Sequence, residues 1–166
     1  MRGHVKKMAF DADIKNYLQE FQKEYNAASR AKQHTAELSF RVPMHTLFKR
    51  IARDLNPHGN FDIILEPKNQ GRMGRPDWRI QDSVSLGVYG YIEGKGPSAD
   101  PFDIAPYQEQ INRYLTLGHK LIITDGIDFV FCYAENPVIV SIIDKNRMNE
   151  TDWSRLPINS MFRFYM

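Results

Sequence analysis

The sequence predicts an α/β fold in which a mixed central sheet is flanked by helices, and three observations support this prediction. Two long segments near the start of the chain place apolar residues at helical spacing. Short β-rich runs then follow with one further helical segment among them, which gives the order α-α-β-β-β-α-β-β-β. Residues 121–124 form a continuous apolar run, as expected of a strand buried on both faces. Together these features indicate a layered α/β domain.

The first helix is predicted over residues 11–32, where apolar side chains recur between charged ones: Phe10, Ile14, Tyr17, Leu18, Phe21 and Tyr25. Residues 1–9 are expected to be a tail or a cloning scar, and residues 35–41 an irregular link. The second helix is expected to begin near Pro43, since proline suits a first helical turn, and to end at the stop residues 56–60.

The strands are predicted at residues 61–65, 77–80, 87–92, 121–124, 129–133 and 138–143. A third helix over residues 104–115 is stopped by Gly118, and Asp125 with Gly126 forms a hairpin turn signal. The folded domain is therefore expected to span residues 10–150. Residues 151–166 are expected to be a C-terminal extension, with a short helix, or the start of a linker.

Composition excludes several classes of protein. No apolar run is long enough for a membrane span, so no membrane partner is expected. The single Cys132 rules out an internal disulfide and favours a reducing, cytoplasmic setting. Residues 1–50 carry a net charge of +5 and residues 51–166 a net charge of −3. This asymmetry is compatible with a phosphate-backbone partner, although a solvated helix explains it equally well.

The chemically informative stretch is residues 76–95. Asp77 opens one predicted strand. Glu93 and Lys95 lie at the end of the following predicted strand, where alternation places their side chains on the same face. If the two strands pair as a hairpin, two carboxylates and an ammonium converge, which is an arrangement suited to a divalent metal. Taken alone the pattern is weak, because Pro-Asp also opens turns and Glu-x-Lys also forms solvated pairs.

Five segments in order, at residues 37–41, 74–77, 90–95, 109–114 and 121–125, resemble the PD-(D/E)xK nuclease superfamily. The similarity is greatest to the N-terminal nuclease domain of fused type IIG and type ISP restriction–modification enzymes. The resemblance implies a restriction-endonuclease-like fold, with residues 10–150 as the nuclease domain. It also implies Mg²⁺ as the cofactor, with Mn²⁺ as an expected substitute, and double-stranded DNA as the substrate. Methyltransferase and specificity domains are expected on the same longer polypeptide.

The resemblance also implies roles for individual residues. Asp77, Glu93 and Lys95 would be catalytic, with Glu37 as an accessory acid, and the metal would be held by Asp77, Glu93 and the main chain of Gly94. Gly94 departs from the family pattern, which often has alanine there; glycine leaves room but loosens the strand. The residues expected to contact DNA are Arg72, Arg75, Gln110, Arg113 and Tyr114. Gln110 and Tyr114, four residues apart, match a Gln-x-x-x-Tyr element on one helix face.

Two other functions remain open from the sequence. One is a non-catalytic DNA-binding or interdomain module on the same fold, and the other is a repair or resolvase-type nuclease. A methyltransferase is excluded for these residues, because the chain has no Gly-rich loop after its first strand and no Asn-Pro-Pro-aromatic tetrapeptide.

Overall fold

The computed structural model describes residues 2–31, 36–55, 59–67, 75–96, 105, 108–116, 120–132 and 137–165. The chain begins with helices α1 (Arg2–Ala31) and α2 (Ala36–Leu55), followed by strands β1 (Phe61–Leu65), β2 (Trp78–Asp82) and β3 (Val88–Gly94). Helix α3 (Gln108–Thr116) leads to strands β4 (Lys120–Thr124), β5 (Asp128–Cys132) and β6 (Val138–Ser141). Two short 3₁₀ helices, Lys145–Arg147 and Trp153–Arg155, precede helix α4 (Ser160–Tyr165).

In the described part of the chain, six strands form one mixed sheet in the order β1-β2-β3-β4-β5-β6. Neighbouring strands are antiparallel except for β3 and β4, which are parallel and joined through α3. A parallel pair needs such a crossover, because a tight turn cannot bring the chain back to the same end of the sheet. The predicted mixed sheet flanked by helices is confirmed.

The sheet buries a different apolar cluster on each face. On one face, α1 and α2 cover a large cluster that includes Phe21, Phe40, Trp78 and Phe129. On the other face, α3 covers a smaller cluster: Tyr91, Ile111, Tyr114, Leu121, Ile123, Val130 and Cys132. Successive strand residues alternate between the clusters, as the pleat requires. Strand β5 accordingly has all five residues buried.

Helix α2 begins at Ala36, so the predicted irregular link over residues 35–41 is wrong and Pro43 lies inside the helix. An interior proline costs a helix about 3 kcal/mol. The apolar stripe of α2 starts before the proline, with Phe40 fully buried. Burial of one such aromatic side chain contributes about 1.5–3 kcal/mol, which is enough to offset most of that cost.

The two predicted ends of the domain also differ from the structure. Helix α1 begins at Arg2, so residues 2–9 continue the helix instead of forming a separate tail. At the other end, Trp153 and Phe162 are fully buried in the larger core cluster. The Trp153 ring lies 5.3 Å from Tyr25 of α1. The boundary predicted at residue 150 is therefore corrected, since the folded domain includes the segment up to α4. Among the described helices, none combines the length and apolar character needed to cross a bilayer.

Candidate active site

The antiparallel pairing of β2 and β3 brings Asp77 beside Glu93. Trp78 lies opposite Ile92 in the register of these strands, and the next pair along would be Asp77 and Glu93. A hydrogen bond fixes the arrangement, because the Gly94 N–H donates to Asp77 Oδ2 at 2.8 Å. Both carboxylates are buried, with exposed fractions of 8% for Asp77 and 4% for Glu93. The hairpin predicted from the sequence is thus present, and it joins the two acids.

Lys95 follows β3 directly and extends its pairing with β4. The Lys95 N–H donates to the Thr124 carbonyl at 2.7 Å, so its main chain is held at the end of the sheet. Its half-buried side chain is close enough to Glu93 for the ammonium to lower the carboxyl pKa. The three groups predicted to converge are therefore neighbours at one end of the sheet.

Glu93 is the electrostatically unusual group of the site. Burial, and to a lesser extent the nearby charge of Asp77, raises its pKa to about 7. A hydrogen bond from Tyr114 and the positive charges of Lys95 and Arg41 act in the opposite direction without cancelling this increase. Two buried carboxylates that repel each other favour the binding of an additional cation between them.

Helix α3 contacts Glu93 from the sheet face that carries the smaller apolar cluster. The Tyr114 hydroxyl donates to Glu93 Oε1 at 2.9 Å, and its ring lies 4.9 Å from that of Tyr91. Gln110, one turn earlier, is hydrogen-bonded to the Tyr114 hydroxyl. Burial and the charge of Glu93 raise the Tyr114 pKa, so the phenol keeps its proton and acts as a donor. Tyr114 is only 1% exposed, and its hydroxyl contacts Glu93, so the DNA contact predicted for Tyr114 stays a prediction.

Sequence reasoning missed two residues of the site, Arg41 and Glu66. Arg41 of α2 places Nη2 2.6 Å from Asp77 Oδ1 and Nη1 2.5 Å from Glu66 Oε1. Glu66 follows β1, and its N–H donates to the Asp77 carbonyl at 2.7 Å. The only available signals were that Arg41 belongs to the 37–41 segment and that Glu66, like Asp77 and Glu93, lies at a strand end.

Glycine at position 94 has a structural reason. A Cβ atom there would lie 3.0 Å from the Trp78 ring and 3.5 Å from Met44 Cε. Gly94 therefore faces the side of the sheet that α2 covers. Without a side chain there, Trp78 can pack against β3 between Glu93 and Lys95. Glycine at this position is therefore explained by close packing in this core.

Of the remaining predicted site residues, two lie wholly or partly outside the described structure and two are exposed at its surface. The main chain of Glu37 lies in α2, but its side chain is outside the described part of the structure, as is the whole of Arg72. Arg75 has a 63% exposed side chain and pairs with Glu66 at 2.9 Å. Arg113 is 39% exposed and lies 3.9 Å from Glu109, four residues earlier on α3.

The donor chemistry of the site fits Mg²⁺. Within the described ranges, no group of three or more His, Cys, Asp or Glu side chains could hold a metal alone. The available protein ligands are the carboxylates of Asp77 and Glu93 with the main-chain carbonyl of Gly94. Mg²⁺ commonly takes one or two carboxylates and keeps several waters, so this small oxygen set is adequate.

Comparison with known proteins supports the fold assignment. No family model and no curated protein matches the chain. Among solved structures, a cryo-EM structure of a DrdV–DNA complex matches with a TM-score of 0.50 and 20% identity. The match covers 76% of this chain and only 12% of that chain. At this level of identity the likeness concerns the fold alone, and the six-stranded mixed sheet with flanking helices is consistent with a restriction-endonuclease-like fold.

Proposed function

We propose that this chain is a Mg²⁺-dependent DNA endonuclease domain that hydrolyses phosphodiester bonds, and that it is the cleavage module of a restriction–modification enzyme. The observation that carries the proposal is the pair of buried carboxylates, Asp77 and Glu93, with Lys95 at the same end of the sheet. The similarity in fold to a protein solved in complex with DNA also supports it.

The residues divide into two chemical tasks. Asp77, Glu93 and the Gly94 carbonyl would hold Mg²⁺. When bound, the ion would lower the pKa of a coordinated water and shield the charge of the scissile phosphate. Lys95 would orient the attacking water or, as a neutral amine, accept its proton. Tyr114 holds the Glu93 carboxylate in place through its 2.9 Å hydrogen bond.

Residues around the site would contact the DNA backbone. Arg75 and Arg113 have substantially exposed guanidinium groups that can reach phosphates. Arg72 is proposed to act with Arg75, and Gln110 to contact DNA from α3. Glu37 remains a proposed accessory acid. Methyltransferase and specificity domains on the same polypeptide, and a cytoplasmic location, are proposed with this function.

The proposal is tested by separating metal binding from cleavage. The variants are Glu93→Ala, Lys95→Ala and, as a control, Lys120→Ala, an exposed lysine at the start of β4. Calorimetric titration with Mg²⁺ or Mn²⁺ and a plasmid-nicking assay are run on each. Glu93→Ala should lose both metal binding and nicking. Lys95→Ala should retain metal binding and lose about 10²- to 10⁴-fold in nicking rate, whereas Lys120→Ala should behave as wild type.

Two results would contradict the proposal. The first is nicking by Lys95→Ala at the wild-type rate, and the second is a wild-type chain that binds no divalent ion even with DNA present. A chain that binds DNA without nicking it would instead be the non-catalytic module. Ca²⁺ should support little cleavage, because its looser coordination activates water poorly.

A further inference from the structure

Three carboxylates lie in one row across neighbouring strand ends, and one guanidinium bridges two of them. The Glu66 N–H donates to the Asp77 carbonyl, and Asp77 lies beside Glu93. Arg41 contacts both Glu66 and Asp77, and its side chain is only 17% exposed. A buried carboxylate such as Asp77 is costly unless a positive or hydrogen-bonding group compensates it. Arg41 provides part of that compensation through its contact with Asp77.

From this geometry, and building on the proposed function, we propose that Arg41 is a resident counter-ion of Asp77 that a divalent cation must displace. We further infer that Glu66 holds the displaced guanidinium beside the site. Arg41 is therefore a positioning residue that sets metal affinity, because it acts on the metal through the Asp77 carboxylate.

Competition follows from how the Asp77 oxygens are used. Oδ2 accepts the Gly94 N–H at 2.8 Å, and Oδ1 contacts Arg41 Nη2 at 2.6 Å. A divalent ion that approaches Oδ1 would lie within a few ångströms of the guanidinium. Two positive charges that close repel strongly in a partly buried site. Metal binding should therefore weaken or break the contact between Arg41 and Asp77.

The conformation and contacts of Glu66 keep the Arg41 guanidinium near the site. Its main chain has a φ of 47°, in the left-handed region that non-glycine residues adopt at a cost of about 1–3 kcal/mol. The 2.7 Å hydrogen bond to Asp77 holds this conformation. One Glu66 oxygen accepts from Arg41, and the other accepts from Arg75 at 2.9 Å. When Arg41 leaves Asp77, its contact with Glu66 remains available.

Four variants of the 166-residue chain test the proposal. Arg41→Gln removes the charge, Arg41→Lys keeps it, and Glu66→Gln weakens the alternative acceptor. The matched control is Arg50→Gln on the same helix, where the arginine pairs with Asp13 at 2.6 Å outside the site. Mn²⁺ and Mg²⁺ affinities are measured by calorimetry on metal-free protein, together with Tm with and without the ion. Circular dichroism verifies folding.

Arg41→Gln should bind Mn²⁺ at least about fivefold more tightly, the lower end of the range for coupled sites. It should also have a lower Tm without metal and gain more Tm on adding Mn²⁺. Arg41→Lys should return affinity toward wild type. Glu66→Gln should bind Mn²⁺ more weakly, because an uncharged amide competes less well with Asp77 for the Arg41 guanidinium. Arg50→Gln should leave the affinity unchanged.

The proposal is overturned if Arg41→Gln binds Mn²⁺ with unchanged or weaker affinity, which is the result expected of a merely structural arginine. It is also overturned if neither the wild type nor any variant binds a divalent ion. Its failure is distinguishable from that of the proposed function. A chain that nicks DNA but shows no effect of Arg41 on metal affinity refutes only the displacement. A chain with the predicted affinity shifts and no nicking refutes only the nuclease.

Discussion

At the scale of single residues, Glu93 decides how the candidate site responds to its surroundings. Burial and the charge of Asp77 raise its pKa to about 7, close to physiological pH. The hydrogen bond from Tyr114 partly opposes that increase because it stabilises the charged carboxylate. A neighbour that donates or withdraws one hydrogen bond therefore changes how much of Glu93 is ionised at pH 7.

Replacing Tyr114 by Phe is expected to raise the Glu93 pKa further, since the carboxylate loses a hydrogen bond to its charged form. The ionised fraction at pH 7 then falls, so Mn²⁺ binding should weaken, and more so at pH 6 than at pH 8. Hydrogen bonds to charged groups contribute about 1.5–3 kcal/mol, so the nicking rate should fall by about 10-fold or more. The measurements are calorimetry and nicking across this pH range.

The matched control for this variant is Tyr89→Phe, which removes an exposed hydroxyl that donates to Asp82 at 3.2 Å. Tyr89→Phe should leave the Mn²⁺ affinity unchanged. Equal metal affinities for wild type and Tyr114→Phe at every pH would contradict the positioning role of Tyr114.

At the scale of elements, the hairpin of β2 and β3 carries the site, and its turn is held by one carboxylate. Asp82 Oδ1 accepts hydrogen bonds from the Val84 N–H at 2.9 Å and the Ser85 N–H at 2.7 Å. These main-chain donors lower the Asp82 pKa. The turn, together with the β-bulge between Ile80 and Gln81, sets the register that brings Asp77 beside Glu93, sixteen residues later in the chain.

The variant Asp82→Ala is expected to lower Tm at neutral pH, with a difference from wild type that shrinks as the pH falls. The folded-state pKa of Asp82 is below its unfolded value, so its stabilisation is full above the unfolded pKa. It is lost as the pH falls through the folded pKa. Thermal unfolding of both proteins at pH 7 and near pH 3 measures this. A Tm difference that is equal at both pH values would show that the charge of Asp82 does not matter.

At the scale of the whole molecule, residues far apart in the chain close the larger core. Tyr17 of α1 donates to the Gly126 carbonyl in the turn between β4 and β5 at 2.6 Å. Lys145 contacts the buried Asp125 and Asp128, each at 2.5 Å, and so ties the first 3₁₀ helix to the same turn. Helices α1 and α2 and the C-terminal segment together cover one face of the sheet that carries the candidate site.

The chain is expected to bind duplex DNA weakly and without sequence preference, because backbone contacts dominate such a surface. The affinity should fall steeply as salt rises. Arg75→Ala should weaken binding about equally on unrelated duplexes and flatten the salt slope by roughly one unit. Fluorescence anisotropy at several salt concentrations measures both. Arg155→Ala, which removes an 86% exposed arginine paired with Asp152, is the control and should leave the slope unchanged.

The outcome of this binding test is decided by the salt slope. If Arg75→Ala changed which DNA sequences are preferred but left the salt dependence of binding unchanged, Arg75 would not be a phosphate contact. Tight, site-specific binding that is insensitive to salt would contradict the expectation for the whole chain.

The sequence by itself determined the order of the elements, the mixed sheet and the approach of Asp77 to Glu93. These features depend on the periodicity of apolar residues and on the pairing of strands that are adjacent in sequence. Both are encoded within short stretches of the chain. The pairing of Lys95 beside Glu93 followed from strand alternation alone.

Tertiary structure decided which side chains surround Asp77 and Glu93, and where the folded domain begins and ends. Arg41 reaches Asp77 only because α2 lies across the sheet, and α2 extends before Pro43 because Phe40 is buried in the core. Trp153 joins the same core through ring contacts with Phe21 and Tyr25 of α1. Such contacts join residues dozens of positions apart. They depend on which surfaces pack together, so local propensity and spacing do not specify them.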